Sequence, residues 1–242
     1  MTLTIKGVEY AFRWCPAGTF QMGSPESEKC REENETQHQV ILSRGFWVQE
    51  MEVTQEQWSS VMGSNPSYFK DSRLPVETVS WNDCQEYIRK LNILIPSDYE
   101  FSLPTEAQWE YACRAGSTTP FNFGSKLNGD KANCDANYPY GTLTKGTYLE
   151  KTASVGSYQA NGWGLYDMHG NVFEWCNDWY GDYPVGSVTD PMGANNGSFR
   201  VYRGGGWLIG AEYGRSASRH FREPSYRNIS FGLRCSLVEK NK

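Results

Sequence analysis

The second half of the chain constrains the fold more than any other feature of the sequence. From Gly116 onward, Gly, Asn, Asp and Pro recur every few residues, so few segments could run longer than a short strand. More than a hundred residues with little regular structure are unusual on loop-length grounds. Such a region must be held by aromatic packing, turn chemistry or bound metal, and the chain contains 14% aromatic residues and 24 glycines. We therefore expect a loop-rich α+β fold.

The first half carries strand and helix patterns. Apolar and polar residues alternate in VEYAFRWCPAGTFQMGS and HQVILSRGFWVQEMEVT, which predicts short strands. The polar stretch PESEKCREENETQ between them predicts an exposed loop. Thr54 with Gln57, and Thr105 with Gln108, match the capping box of a helix start, and Ser80 is a third N-cap candidate.

Charge, cysteine spacing and hydropathy exclude several classes of protein. The net charge is −5 without a long run of either sign, so we expect no nucleic-acid partner. The seven scattered cysteines form no C-x-x-C pair, which favours small buried residues over a zinc site or disulfide framework. No linker or repeat divides the sequence, so residues 1–242 are expected to form a single domain.

The cellular location follows from two further absences in the sequence. No stretch reaches the length of a membrane span, and MTLTIKGVEY is not a signal peptide. Two locations therefore stay open: the chain is cytoplasmic, or an export signal has been removed from it. In that case we expect an outer-membrane lipoprotein at the cell surface, attached through a lipid anchor outside this sequence.

Familiar catalytic motifs are missing from the sequence. His38, His169 and His220 form no H-x-x-x-H motif, and none lies beside a suitably spaced cysteine. Neither a G-x-S-x-G elbow nor a Walker loop is present. The run GGGWLIG lacks the strand–turn–helix setting of a phosphate loop, and Trp207 stands where such a loop needs a small residue.

One segment, GLYDMHGNVFEWCNDWYGD, concentrates oxygen donors. Asp167, Asn171, Glu174, Asp178 and Asp182 lie within sixteen residues. Calcium takes about six to eight oxygen ligands, including backbone carbonyls, from a curled loop. A solvated acidic turn explains the same composition, and the spacing alone leaves both alternatives open.

Several motifs, in order along the chain, resemble the formylglycine-generating enzyme, or sulfatase-modifying factor, family. They run from about Phe12 to Cys235. The resemblance implies a C-type-lectin-like fold elaborated with extra loops. The motifs are PAGTFQMGS, VTQEQW, PVETVSW, LPTEAQWEYACRAG, GLYDMHGNVFEWCNDWY and RGGGW…RSASR…P…FGLRC.

The resemblance also implies structural calcium, which would stabilise the fold rather than contact a ligand. A second, weaker site would use Asn133 and the carbonyl of Cys134, since Thr147 stands where the family has an aspartate. The main site would have as ligands the Asp167 side chain, the Gly170 and Val172 carbonyls, and Glu174.

The catalytic cysteines of the family are absent. In the active enzymes, a cysteine pair performs copper-dependent oxidation of a substrate cysteine. When the sequence is aligned on Trp207 and Arg215, those positions are Ile209 and Gly214. Neither residue can form a thiolate or bind a soft metal. We therefore expect no copper cofactor and no enzymatic activity of this type.

Residues 203–234 most closely resemble the variable proteins of diversity-generating retroelements, in which a fixed frame alternates with positions rewritten by adenine-directed mutagenesis. Glu212 is an exception, because an adenine-randomised AAC or AAT codon cannot encode it. The frame residues would be Arg203 to Trp207, Ala211, Arg215, Ser216, Ala217, Arg219, Pro224, Arg227, Gly232 and Arg234. The variable residues would be Leu208, Ile209, Gly210, Glu212, Tyr213, Gly214, Ser218, His220, Phe221, Arg222, Tyr226, Asn228, Ile229 and Ser230.

The expected function is therefore that of a monomeric, non-catalytic protein that binds a macromolecular ligand through these variable residues. Tyr213, Phe221 and Tyr226 are amphipathic anchors of the kind that binding surfaces favour, and His220 and Arg222 add hydrogen-bonding groups.

Two other functions and one structural alternative stay open. An enzyme or accessory factor of the same family would rely on Cys176, Cys235 or the Arg215 and Arg219 pair. A structural assembly module would present a large self-complementary patch. In the structural alternative, four apolar residues of the variable set simply belong to the core: Leu208, Ile209, Phe221 and Ile229.

Overall fold

Three β-sheets and three α-helices, joined by long loops, form the part of the chain that the computed structural model describes, residues 1–95 and 98–240. The helices are α1 (Gln55–Met62), α2 (Trp81–Leu94) and α3 (Glu106–Arg114). The strands are β1 (Thr2–Ile5), β2 (Val8–Cys15), β3 (Gly18–Met22), β4 (His38–Leu42), β5 (Phe46–Gln49), β6 (Tyr99–Ser102), β7 (Phe173–Trp179), β8 (Val188–Thr189), β9 (Arg200–Arg203), β10 (His220–Arg222), β11 (Phe231–Gly232) and β12 (Ser236–Glu239).

The largest sheet joins the two ends of the chain. Its order is β1-β2-β5-β12-β6, and β12 pairs antiparallel with both β5 and β6. A second sheet, β10-β9-β7-β11, includes strands of the C-terminal segment, residues 203–234. Strands β3, β4 and β8 form the third sheet. Because β12 follows β11 directly, closing the large sheet also fixes where the C-terminal segment lies.

Local sequence determines where the helices begin. Thr54, Ser80 and Thr105 each accept a hydrogen bond from a backbone N–H of the first turn, and the side chain three residues later bonds back to the cap. Such a box satisfies two donors that a helix start would otherwise leave unpaired. The three predicted helix starts are confirmed, and so are the predicted strands on either side of residues 25–37.

Aromatic side chains fill the core between α1, α2 and the large sheet. Trp58 stacks on Tyr87 with ring centroids 4.8 Å apart, and Phe101 packs edge-on against Phe12. The hydroxyls of Tyr10 and Tyr87 lie 3.0 Å apart, and burial raises the pKa of Tyr10 to about 12. Aromatic packing thus supplies the cohesion that a loop-rich chain requires.

The predicted loop-rich α+β class is confirmed. Strands span two to eight residues, and the longest helix, α2, has 14. Six of the seven cysteines are buried, as expected, and Cys30 is exposed. Within residues 1–95 and 98–240, no helix combines the length and apolar character that crossing a membrane requires.

Buried arginines fasten the C-terminal segment to α3. Arg219 binds Glu106 through two hydrogen bonds, Nε to Oε1 at 2.8 Å and Nη2 to Oε2 at 2.7 Å. Arg203, whose side chain is fully buried, pairs with Glu110 and donates to the Ser218 carbonyl. Burial alone would lower the pKa of both arginines, but the neighbouring glutamates raise it, so both guanidiniums stay charged.

Arg215 fastens the polar loop of residues 25–37 to the same segment. Its guanidinium donates to Glu35 at 2.6 and 2.8 Å, to Glu28 at 2.7 Å and to the Cys30 carbonyl at 2.7 Å. The expectation that this loop is exposed is therefore wrong at Glu35, which is fully buried. Burial would raise the pKa of Glu35, but the hydrogen bonds and charge of Arg215 lower it, so the carboxylate stays ionised.

We expect Arg215→Ala to destabilise the protein by about 3–5 kcal/mol, because it leaves Glu35 buried without its counter-charge. Arg227→Ala is the matched control: its ion pair with Asp83 is exposed, at 51% and 29% of the two side chains, and its loss costs below about 1 kcal/mol. Urea unfolding of both variants measures the difference. Equal losses would show that burial of the Arg215 pair is not a constraint on this fold.

Asp178 caps the start of α3 in a dry environment. Its Oδ2 accepts a hydrogen bond of 2.8 Å from the Glu106 N–H, and only 3% of the residue is exposed. Burial and then the nearby Glu106 carboxylate raise the pKa of Asp178 to about 8. The folded protein therefore binds a proton here that the unfolded chain releases near its ordinary pKa of about 4.

Because the pKa of Asp178 is raised on folding, stability should fall as the pH increases from about 4 to about 8. Asp178→Asn removes this proton dependence, so from pH 5 to pH 8 the variant should gain roughly 1–3 kcal/mol relative to wild type. The exposed Asp182→Asn is the control and should show no such gain. Urea unfolding at both pH values tests this, and parallel pH profiles for Asp178→Asn and wild type would contradict it.

Candidate functional site

The segment after β9 reverses direction at a turn that needs glycine. Gly204 and Gly205 have φ angles of 98° and 77°, which side chains with a Cβ rarely adopt. A Cβ on Gly205 would also lie 2.8 Å from the Cα of Gly214. A 3-10 helix (Ala211–Gly214) follows, and β10 then returns antiparallel to β9.

The frame residues lie inside the protein, with two exceptions. Pro224 is half-buried and Arg227 is exposed, whereas the other frame residues are buried. Trp207 shows how the frame holds the loop: its ring packs edge-on against Phe69, and its Nε1 donates to the Ile229 carbonyl at 3.1 Å. The frame therefore specifies the path of the backbone.

Burial of the fourteen predicted variable residues follows the size of their side chains. None of the four apolar residues proposed as core is buried, although Ile209 packs on one side against the aromatic core. Four small residues are buried: Gly210, Gly214, Ser218 and Ser230. The other ten are exposed or half-buried: Leu208, Ile209, Glu212, Tyr213, His220, Phe221, Arg222, Tyr226, Asn228 and Ile229.

A cavity of about 440 Å³ lies on this surface, and nine of the variable residues line it. Its size falls within the range of ligand-binding clefts in proteins. The variable residues in its wall are Leu208, Ile209, Tyr213, His220, Phe221, Arg222, Tyr226, Asn228 and Ser230. The other lining residues are Glu32, Asn34, Phe173, Tyr202, Arg219 and Phe231.

His220 contributes a neutral aromatic ring to the cavity. The ring stacks on Tyr202 with centroids 5.4 Å apart and packs edge-on against Phe173 at 5.7 Å. Its Nε2 lies 2.9 Å from the Ser218 hydroxyl. Burial, together with the charge of Arg203, lowers the pKa of His220 to about 4, so the ring carries no charge near pH 7.

Known proteins resemble this chain in both sequence and fold. A family model described as a sulfatase-modifying factor enzyme 1-like domain matches residues 9–238. The chain belongs to the sulfatase-modifying factor family. Within this family, the formylglycine-generating enzyme of Streptomyces coelicolor is 36% identical over 172 residues, which cover 67% of this chain and 52% of that enzyme. The chain spans about half the length of the curated formylglycine-generating relatives that it matches.

Two solved structures resemble the whole described fold. Treponema denticola variable protein 1 superposes with a TM-score of 0.84 at 28% identity, covering 98% of both chains. PvdO from Pseudomonas aeruginosa superposes with a TM-score of 0.81 at 26% identity, covering 98% of this chain and 97% of that one. The predicted C-type-lectin-like fold of the formylglycine-generating type is confirmed.

The residues on which an enzyme of this family would rely here are buried or already paired with other residues. Cys176 and Cys235 are buried, and burial raises the pKa of both thiols. Arg215 and Arg219 are each bound to buried glutamates. Ile209, aligned with one family cysteine, lines the cavity, and no cysteine is among the residues that line it.

The main calcium site that the family implies lies beside an unexpected glutamate. Glu52 is fully buried and accepts hydrogen bonds from Asn171 Nδ2 at 2.6 Å and the Val172 N–H at 3.1 Å. Burial, and then the charges of Asp167 and Glu174, raise its pKa well above the ordinary range. Burial likewise raises the pKa of Asp167 to about 6.

The donor chemistry at this site suits calcium, since it offers carboxylates and backbone carbonyls. Three carboxylates, on Glu52, Asp167 and Glu174, share one guanidinium, Arg234, which donates to Glu174 at 2.8 Å. Three buried carboxyl groups thus face one guanidinium, an arrangement in which burial and mutual repulsion favour a proton or a cation on Glu52 and Asp167. The Glu174 carboxylate also accepts from Trp109 Nε1 at 2.7 Å.

Side chains alone do not form a metal site. Within the described residues, no group of three or more His, Cys, Asp or Glu side chains is arranged to hold a metal, so calcium would depend on the Gly170 and Val172 carbonyls.

The weaker site adjoins the main one. Asn133 lies against the turn at Gly170, and its carbonyl accepts from the Asn171 N–H at 2.8 Å. Asn133 Oδ1 is buried and has no hydrogen-bond partner in the described residues, as a metal ligand would. Cys134 is buried, but Thr147 is exposed, so the position of the missing aspartate supplies no inward-facing ligand.

Glu32, Asn34, Glu35 and Glu52 are the site residues that sequence reasoning missed. Glu32, Asn34 and Glu35 belong to the polar stretch predicted as an exposed loop, and Glu52 belongs to a segment predicted as a strand, where nothing marks it as buried. The partners of Glu35 and Glu52 are distant in sequence. One signal existed: a frame with several buried arginines requires buried carboxylates elsewhere in the chain.

If calcium binds at Asp167, chelation should lower the melting temperature and added calcium should restore it, by roughly 3–5 °C. Magnesium, which prefers octahedral geometry with several waters, should restore less. Asp167→Ala should abolish the calcium response, whereas Asp182→Ala, an exposed acid of the same segment, should retain it. Differential scanning calorimetry measures the melting temperatures of wild type and both variants with chelator, calcium and magnesium. An identical melting temperature with chelator and with calcium would contradict the site.

Proposed function

We propose that this protein is a non-catalytic ligand-binding protein whose residues 203–234 form a diversified contact surface for a macromolecular partner. The observation that carries the proposal is the separation of fixed and variable residues. Nearly all frame residues are buried, and nine of the fourteen variable residues line one cavity. A surface that changes its side chains while keeping its backbone requires this separation.

The physical character of the surface supports the same proposal. Aromatic rings of Tyr213, Phe221 and Tyr226 supply large contact areas with few rotatable bonds. The turn at Gly204 and the pairing of Arg203 and Arg219 hold the backbone beneath them, which lowers the entropic cost of binding. The likeness to Treponema denticola variable protein 1 over 98% of both chains is further support.

Formylglycine formation, the activity named for several relatives, has less support. The two positions aligned with the family's cysteine pair hold Ile209 and Gly214, which offer no thiolate. The buried thiols of Cys113 and Cys134 have pKa values raised by burial to about 12, so they are poor ligands for copper near pH 7. A receptor function requires neither the family's cysteine pair nor a thiol that binds copper.

The DNA beside the gene tests the proposal directly. We expect a near-copy of the segment encoding Arg203 to Arg234 close to the 3′ end, accompanied by a reverse transcriptase gene. The copy should carry adenines at the codons of the nine surface residues other than Glu212 and should match the frame codons. The Glu212 codon should also match, because adenine randomisation of AAC or AAT cannot produce it. Differences concentrated in the Arg203 or Arg215 codons, or no copy at all, would refute diversification.

A further inference from the structure

We propose that the cavity takes an arginine side chain of a protein partner, and that Glu32 and Asn34 are fixed recognition residues outside the variable segment. This inference rests on the proposed function, because it names the chemistry of the ligand that the same surface binds.

One wall of the cavity lies outside residues 203–234. Glu32 and Asn34 lie in the loop that Arg215 holds through Glu35 and the Cys30 carbonyl. Arg219 also donates to the Asn34 carbonyl at 3.2 Å. Because frame arginines anchor this wall, it keeps its position whichever residues are diversified.

This wall carries two oxygen acceptors that receive no hydrogen bond from the described residues. Glu32 is exposed, and its carboxylate forms neither an ion pair nor a hydrogen bond with any described residue. Asn34 Oδ1 is buried and likewise lacks a partner within the described ranges. An unsatisfied buried acceptor costs free energy, which a donor from a ligand would recover.

Charge at the cavity also favours a cationic ligand. Arg219 lines it, but Glu106 already neutralises the Arg219 guanidinium. His220 is a neutral ring, and Arg222 is exposed with its guanidinium 5.5 Å above the Tyr226 ring. The fixed wall is therefore anionic, while the one lining cation without an acidic partner, among the described residues, belongs to the variable set.

Aromatic side chains line much of the rest of the cavity. A guanidinium stacks on aromatic rings and has several donors in one plane, so it can contact a ring while it pairs with the Glu32 carboxylate. An ammonium group is a compact point charge that matches this combination less well. The rings are Phe173, Tyr202, Tyr213, Phe221, Tyr226 and Phe231.

The test compares N-acetyl-arginine amide with N-acetyl-citrulline amide, its neutral isostere, by NMR titration of the full chain. We expect the arginine compound to bind about threefold more tightly, as an ion pair with an exposed carboxylate implies. Glu32→Gln should reduce arginine binding to the level of citrulline. Glu33→Gln is the matched control: Glu33 is exposed in the same loop but does not line the cavity, and its replacement should change nothing. Arg222→Ser should strengthen binding, because it removes a like charge.

Equal binding of the two compounds, or no binding of either at the cavity, would overturn the inference. Tighter binding of N-acetyl-lysine amide than of the arginine compound would overturn the choice of a guanidinium. These outcomes are separable from the proposed function, because the DNA copy beside the gene reports on diversification alone. A copy without arginine binding would refute the inference and leave the proposed function standing.

Discussion

The fold depends on charge pairs buried where water cannot replace either partner. Glu106 and Glu110 lie on α3 and bind Arg219 and Arg203 from the C-terminal segment, and Glu35 binds Arg215 in the same way. Removing one member of such a pair leaves an ion in a low-dielectric interior, which costs far more than losing an exposed pair. These pairs therefore determine which loop lies against which helix. Little regular secondary structure is present in this region to determine it otherwise.

This constraint leaves the surface side chains of residues 203–234 open to substitution at little cost in stability. Substitutions of side chains that face water usually alter stability by less than about 0.5 kcal/mol, whereas those in buried ionic networks alter it greatly. Replacing Arg203, Arg215 or Arg219 would leave a glutamate buried without its counter-charge. Leu208 and Arg222 are exposed and pair with no buried glutamate. Burial thus sorts residues only a few positions apart into fixed and replaceable sets. The contact surface that we propose could therefore change its side chains without refolding.

Sequence was informative where the physics is local. The capping boxes at Thr54 and Thr105 satisfy donors within three residues, so the pattern alone located α1 and α3. Pairing across the fold could not be found in this way. Glu35 stands in an acidic, polar stretch typical of a loop, and its partner Arg215 is 180 residues away. Glu32 was missed for the same reason, because only the folded chain brings that loop to the cavity.

The carboxylate cluster and the cavity are coupled through a single strand. Phe173 lies on the cavity floor, between Val172, a candidate calcium ligand, and Glu174, which binds Arg234. Side chains of neighbouring strand residues face opposite sides of a sheet, so β7 has the cluster on one face and the cavity on the other. The Phe173 N–H also donates to the Ser230 carbonyl at 2.7 Å, which links β7 to the variable segment. A proton or a cation on Glu52 or Asp167 would therefore act on the strand beneath the cavity and not on a bound ligand.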